Sequence, residues 1–419
     1  MNNIQTPKIN DFNKNILKLM TGTTISQAIP IMISPILTRI YEPSDFGIYA
    51  MFMSIVMIFA SIINARYEAA IILPRKDNDA INIFALALII SIIISLILLI
   101  FIIIFYNKLI LIIGDEEIGL WLYFIPLGTF FIGLFNSLSF FNNRKKFYSD
   151  IAKASIIKSV VLAVIQISVG LIKNGATGLI SGFLISQIFA NLKLLKNLLL
   201  NNNLFEIINL KKMFILGIRY RNFPKYSALS VLLNTSIQNI INIVGALLFS
   251  YSSMGFYSLA QRVLGLPSVV VGKAVGQVFL EKTISEKRKF GNSSKIFKST
   301  LLKLFLISLV LFFPLYMTIN DIIIFVFGEK WESTGNIIKI LMPLFFIRFL
   351  TSSLSTILIA YEKQKNELFS NIILLSTTLI VLFINQDNFE NFLFYFSTTM
   401  SINYLLLLIY FYQLSKGTK

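Results

Sequence analysis

The chain has 419 residues, 56% hydrophobic and 14% charged, where soluble domains average about 45–50% apolar and about 25% charged residues. It contains no cysteine and no histidine, which excludes disulfides, thiolate nucleophiles, imidazole bases and the usual zinc ligands, so neither a metal nor a cofactor is expected. With a mean hydropathy of +0.77, the formal charge of +17 reads as the basic loops of a membrane protein and not as a nucleic-acid surface.

Apolar runs near the roughly 20 residues needed to cross a bilayer recur along the whole length. They predict about twelve spans, at 15–38, 46–73, 80–106, 118–141, 151–172, 177–200, 224–249, 255–280, 297–319, 335–360, 367–385 and 391–414. The first contains Gln27, Pro30 and Pro35 behind a polar tail, unlike a cleaved secretory signal with its short apolar core. The tract Ile322–Phe327 is too short to span, and either extends the ninth helix or lies in the interface.

If the N-terminus is cytoplasmic, strict alternation puts 26 of the 37 Lys and Arg residues on the cytoplasmic side and 4 on the other. That asymmetry is the positive-inside pattern and places both termini in the cytoplasm. The loops on the opposite side are short, the largest near Asn107–Gly119 and Asn320–Thr334, with little room for a catalytic domain. There is no phosphate-binding glycine loop and no dinucleotide fingerprint, so a transporter is expected and not an enzyme. The stretch 201–223 sits at the chain midpoint. It reads as a cytoplasmic linker between six-helix lobes at 1–200 and 224–419.

The two halves share a short pattern. Ser44-Asp45-Phe46-Gly47-Ile48-Tyr49-Ala50 resembles Ser252-Ser253-Met254-Gly255-Phe256-Tyr257-Ser258 at a constant offset of 208 residues. Each stretch follows a span with polar interior residues: Thr23, Thr24, Ser26 and Gln27 in one, Asn234, Thr235, Ser236, Gln238 and Asn239 in the other. Six spans per half gives a parallel repeat.

Charges within spans are costly and mark pathways or pairs. Arg66, Glu68, Lys158, Arg262, Lys273, Lys303, Lys339 and Arg348 fall there, seven cations and one acid, so mutual pairing cannot neutralise them. Lys158, Lys303 and Lys339 lie near span ends and can snorkel. Arg348 is about 13 residues from either end of its span, near the midplane, and Thr351, Ser352 and Ser355 are placed on its face by helical spacing. Arg262 and Lys273, 11 residues apart, fall on one face of a continuous helix, with Gln277 one turn on. Arg66 and Glu68, two apart, do not face each other on a helix. A cationic, water-filled cavity suits an anionic cargo, and guanidinium groups match phosphate oxygens. Pro30, Pro35 and Pro267 interrupt helical hydrogen bonding and are hinge candidates.

The run Thr21-Gly22-Thr23-Thr24-Ile25-Ser26-Gln27-Ala28-Ile29-Pro30, with Ser34 to Arg39, Asp45 to Tyr49 and Arg66-Tyr67-Glu68-Ala69-Ala70-Ile71-Ile72-Leu73-Pro74, resembles the opening of bacterial O-antigen and capsule oligosaccharide flippases. Tyr220 to Tyr226, Gly255-Phe256-Tyr257, Gln261-Arg262-Val263-Leu264-Gly265-Leu266-Pro267 and Gly276 to Phe279 are similar to that family's second half. The resemblance implies the all-α fold of the multidrug/oligosaccharidyl-lipid/polysaccharide exporter superfamily, with two six-helix lobes around a central cavity. It implies a cargo of undecaprenyl-diphosphate-linked oligosaccharide, carried to the periplasmic leaflet of a bacterial inner membrane for O-antigen or another surface polysaccharide. Membrane lipids and polysaccharide polymerase machinery are the further partners implied, and no nucleic acid. Arg39, Arg66, Glu68 and Arg262 are the motif charges carried over, while Arg348, Lys273 and Gln277 come from their positions. Glu68 is the plausible buried acid for ion coupling. The alternatives are a drug or metabolite exporter of the same fold, and a membrane polysaccharide polymerase or ligase.

Overall fold

The apolar runs become helices. A computed structural model describes residues 9–113, 116–173, 175–199, 207–384 and 388–417, and no strand occurs among them. Ten helical stretches among the described residues are long and apolar enough to cross a bilayer, which makes this a multi-pass membrane protein. Two predicted spans are not among those ten: the first and the eighth, 15–38 and 255–280. Both carry polar groups at their centres and both are broken at proline.

The helices group into two units, residues 1–41 with 51–235 and residues 42–50 with 236–419. The first unit opens with α1 (Ile9–Met32) and α2 (Ser34–Ile40). The break between them lies between Pro30 and Pro35, neither of which can donate a backbone hydrogen bond. Ser34 Oγ donates to the Pro30 carbonyl at 2.7 Å. Next comes α3 (Pro43–Ala60), whose first residues belong to the other unit, then α4 (Tyr67–Ala70), α5 (Asp77–Ile113), α6 (Glu116–Leu122), α7 (Ile125–Arg144), α8 (Tyr148–Gly170), α9 (Thr177–Leu199) and α10 (Leu210–Arg219). A π-helical turn, Phe223–Ser227, leads into α11 (Ala228–Leu248).

The predicted second span, 46–73, ends early. Its helix stops at Ala60, and Ala65 and Arg66 adopt left-handed φ of 48° and 64°. Asn64 holds the turn, donating to Gly133 O at 3.2 Å and Ser137 Oγ at 2.6 Å on α7. The loop after α4 is clamped by Arg144, which donates to Pro74 O at 2.7 Å and to Asp77 Oδ1 at 2.9 Å. Beneath these turns Ile71, Ile81, Phe84, Leu138, Phe141 and Leu194 form a buried apolar core.

Of the linker predicted at 201–223, residues 201–206 lie outside the described residues. Within the remainder, Leu210–Arg219 forms α10. Asn209 caps it, its side chain accepting from Lys211 N at 2.9 Å, and Asn82 fixes its start by accepting from Asn209 N at 2.8 Å. Met213 and Leu216 are buried, while Leu210, Phe214, Ile215 and Ile218 are exposed. Tyr67 OH donates to Gly217 O at 3.0 Å. Tyr67→Phe deletes that bond alone and should cost about 0.5–1.5 kcal/mol, read as a small fall in the melting temperature of detergent-purified protein.

The second unit holds most of α11, then α12 (Tyr251–Pro267), a π-helical turn (Ser268–Gly272), α13 (Lys273–Phe290) and α14 (Ser294–Phe327). It closes with α15 (Glu332–Leu354), α16 (Ile357–Ala360), α17 (Gln364–Ile384) and α18 (Phe389–Ser415). Ile322–Phe327 continues α14, so the ninth span is longer than predicted. α15 is the buried centre, packing on α12, α14 and α18.

The repeat segments meet inside this unit. The first residues of α3 lie against the first residues of α12, backbone on backbone. A Cβ on Gly47 would collide with the carbonyl of Tyr251, and a Cβ on Gly255 would collide with the carbonyl of Pro43. The offset of 208 maps Gly47 to Gly255 and Pro43 to Tyr251, so the contact is its own image. Trp331 is fully buried beside it, edge-on to Phe46 at 4.9 Å and Phe256 at 5.9 Å. Lys330 pairs with Glu42.

Candidate functional site

Three helices of the second unit each present a stripe at helical spacing to one cavity of about 370 Å³. From α11 come the adjacent Gln238 and Asn239, with Asn242 one turn further on. From α12 and the turn after it come Gln261, Gly265 and Ser268, at i, i+4 and i+7. From α15 come Phe345, Arg348 and Ser352, at i, i+3 and i+7. This regularity is what an unbroken helix imposes on residues sharing a face.

Arg348 is the only charged side chain among the described residues lining the cavity, and none of those residues is acidic. Its guanidinium lies 5.7 Å from the Phe345 ring centre, over the ring, a cation–π arrangement that orients the planar group without consuming its N–H donors. Gln261 is held from behind, its Nε2 donating to the buried Tyr257 OH at 2.8 Å. An adjoining recess of about 20 Å³ shares Gln238, Gln261, Phe345 and Arg348 with the cavity and adds Ile237, Ile241, Tyr257, Leu344, Phe396, Met400 and Tyr404. The cavity's described lining therefore combines side-chain amides, serine hydroxyls, an aromatic ring and one cation.

Ser352 lies with Arg348, as its spacing predicts. Thr351 does not: its hydroxyl donates to Ile347 O at 2.9 Å in its own helix and lies 3.4 Å from Tyr404 O of α18. Arg262 is not among the residues lining this cavity. It is half-buried over the Phe46 ring at 5.9 Å, and its neighbour Gln261 lines the cavity. Arg262 and Gln277 do not share the face predicted for them. The π-helical turn after Pro267 inserts a residue into the register, rotating α13 by about 100° relative to α12, and Gln277 is exposed. The side chain of Lys273 lies outside the described residues.

In the first unit, Arg66 and Glu68 do face each other, with Nη1 to Oε1 at 3.0 Å. Helical spacing separates them, but Arg66 is left-handed and not helical. Glu68 is 3% exposed, and its Oε2, like Arg66 Nε, has no hydrogen-bond partner among the described residues. Arg39 is exposed in the last turn of α2, its Nη1 3.4 Å from Pro35 O. Pro30, Pro35 and Pro267 each sit at or beside a helix break.

Sequence reasoning passed over Asn242, Gln261, Gly265, Ser268 and Phe345. The signal was available: Asn242 is one turn beyond Gln238, and Gln261-x3-Gly265-x2-Ser268 is a helical stripe. Among the described residues, no cluster of three acidic side chains is placed to hold a metal ion.

A family model described as "Polysaccharide biosynthesis protein" matches residues 36–335. No curated protein matches the sequence. The lipid II flippase MurJ, in an inward closed conformation, superposes with a TM-score of 0.69 at 16% identity, covering 94% of this chain and 86% of that one. The multidrug transporter DinF-BH, solved as a complex, gives 0.61 at 15% identity, covering 94% and 95%. A transporter from Pyrococcus furiosus described as belonging to the MOP superfamily gives 0.58 at 14% identity, covering 95% and 94%. At these identities the likeness is one of fold, the all-helical exporter fold expected above.

Proposed function

We propose, because this chain belongs to the polysaccharide biosynthesis protein family, that it carries a lipid-linked oligosaccharide across a bacterial inner membrane. The cargo is an undecaprenyl-diphosphate-linked repeat unit bound from the cytoplasmic leaflet and released to the periplasmic one, for O-antigen or another surface polysaccharide. Both termini face the cytoplasm, on the distribution of Lys and Arg over the loops.

The observation that carries this reading is the cavity around Arg348. An intramembrane cation faces a cavity or a partner and not lipid. A guanidinium offers two parallel N–H donors to two phosphate oxygens. Amide and hydroxyl walls suit the uncharged remainder of a glycan head group. The fold neighbour named as a lipid II flippase supports a lipid-linked cargo. A neighbour named as a multidrug transporter shares the fold as well, but a cavity with a cation and no carboxylate among its described lining residues disfavours cationic drugs. No bond is made or broken. The protein shifts between states that bind the cargo unequally.

Cells lacking this chain should accumulate the lipid-linked repeat unit in the cytoplasmic leaflet, out of reach of a periplasmic glycosidase, and re-expression should restore access. Unchanged access in cells without the chain would contradict the reading.

A further inference from the structure

α10 turns an apolar stripe away from the helices it packs on. Met213 and Leu216 are buried, and their side of the helix is fastened to the first unit: Tyr67 OH donates to Gly217 O at 3.0 Å, and Lys212 pairs with Asp79 at 3.1 Å. Helical spacing puts Leu210, Phe214 and Ile218, at i, i+4 and i+8, on the opposite side, with Ile215 next to them. In that order they are 76%, 70%, 51% and 64% exposed. Such a stripe on a short helix marks a surface that water does not cover in the working protein.

The neighbouring chain sets its depth. Residues 220–222 alone separate α10 from Phe223–Leu248, a stretch long and apolar enough to cross a bilayer, and they bridge at most about 14 Å. α10 also packs on α5, where Asp79 and Asn82, near the start of the span Asp77–Ile113, both hold it. It therefore lies at the edge of the bilayer, within reach of acyl chains. The charges name the lipid. Between Ile207 and Tyr226 there are five basic residues, Lys211, Lys212, Arg219, Arg221 and Lys225, and no acidic one. Lys212 is taken by Asp79, but Lys211, Arg219, Arg221 and Lys225 are exposed and pair with no carboxylate among the described residues. Basic residues on an amphipathic interfacial helix attract anionic head groups.

We propose that α10 is a binding site for anionic phospholipid. Leu210, Phe214, Ile215 and Ile218 insert among the acyl chains, and Lys211, Arg219 and Arg221 hold the phosphates above them. Lys211 lies within the stripe and reaches the head groups on its long stem. The linker expected from the sequence is then held at the membrane surface.

The chain has no cysteine, so Phe214→Cys gives the full-length protein one attachment point for a fluorophore. Ile104→Cys, at a residue exposed within the span of α5, gives the comparison. Each is reconstituted in phosphatidylcholine bilayers with acyl-brominated phosphatidylcholine or acyl-brominated phosphatidylglycerol, and quenching gives the relative affinity of the two lipids at that position. Both lipids should quench at both positions, and alike at Ile104. At Phe214 phosphatidylglycerol should be preferred about fivefold or more, because one basic residue near the surface is worth about fivefold. Lys211→Gln, Arg219→Gln and Arg221→Gln together, checked by a melting curve, should reduce the preference to about twofold or less. Quenching at Ile104 but none at Phe214, as when a second copy or a soluble partner covers the face, would overturn the proposal. So would equal quenching by the two lipids at Phe214, or a preference kept in the triple variant. No cargo is present, so each of these outcomes leaves the flippase reading standing.

Discussion

Arg348→Ala should lower transport at least thirtyfold while leaving the amount of protein in the membrane fraction unchanged. Truncating one partner of a desolvated charge pair costs about 2–5 kcal/mol, and about 1.4 kcal/mol is tenfold. The loss should appear in cargo transport and not in folding, because the side chain faces a cavity and its one described ring contact is with Phe345. Arg348→Lys should fall between wild type and Ala. It keeps the charge but loses the planar fork and its stacking on the ring. A folded Arg348→Ala protein with normal transport would remove Arg348 from the site.

Gly47→Ala and Gly255→Ala should each destabilise the protein, by similar amounts. A single methyl at either position meets a main-chain carbonyl, which cannot swing aside as a side chain can, so overpacking should cost about 1–3 kcal/mol per site. The contact is reciprocal, so once one methyl has parted the helices the second fits more easily. The double variant should then lose less than the two single losses combined, the signature of coupled sites. Gly265→Ala is the control. Nothing approaches a Cβ there, and replacing a helical glycine with alanine should be neutral or stabilising by up to about 1 kcal/mol. Melting curves of the four variants and the parent protein in one detergent measure all of this. Additive losses at Gly47 and Gly255 would show that the two contacts are independent.

Where helices run unbroken, the sequence was readable. The stripe through Arg348 and Ser352 follows from i+4 spacing on α15, and the glycine segments are visible as a repeat at an offset of 208. What escaped is what tertiary contacts impose. Hydropathy continues past Ala60, but Asn64 bonds to α7 end the helix there. That turn makes Arg66 left-handed and brings it onto Glu68, reversing what helical spacing predicts for the pair. Pro267 marked an interruption in the eighth span, but not its form. The π-helical turn from Ser268 to Gly272 moved Gln277 off the face of Arg262. Arg262 itself is a familiar motif charge, yet it rests on an aromatic ring while Gln261 beside it faces the cavity. In a helix adjacent residues lie about 100° apart, so a motif shows that a segment matters without showing which of its side chains faces the cargo.

The measurement that bears most directly on the central claim is translocation in proteoliposomes containing this chain alone. A fluorescent undecaprenyl-diphosphate oligosaccharide is followed by loss of protection from an impermeant quencher, beside a cationic dye in a parallel sample. Movement of the lipid-linked sugar, lost with Arg348→Ala, and no movement of the dye is the predicted result. Movement of the dye alone would contradict the account and place the protein among exporters of cationic compounds.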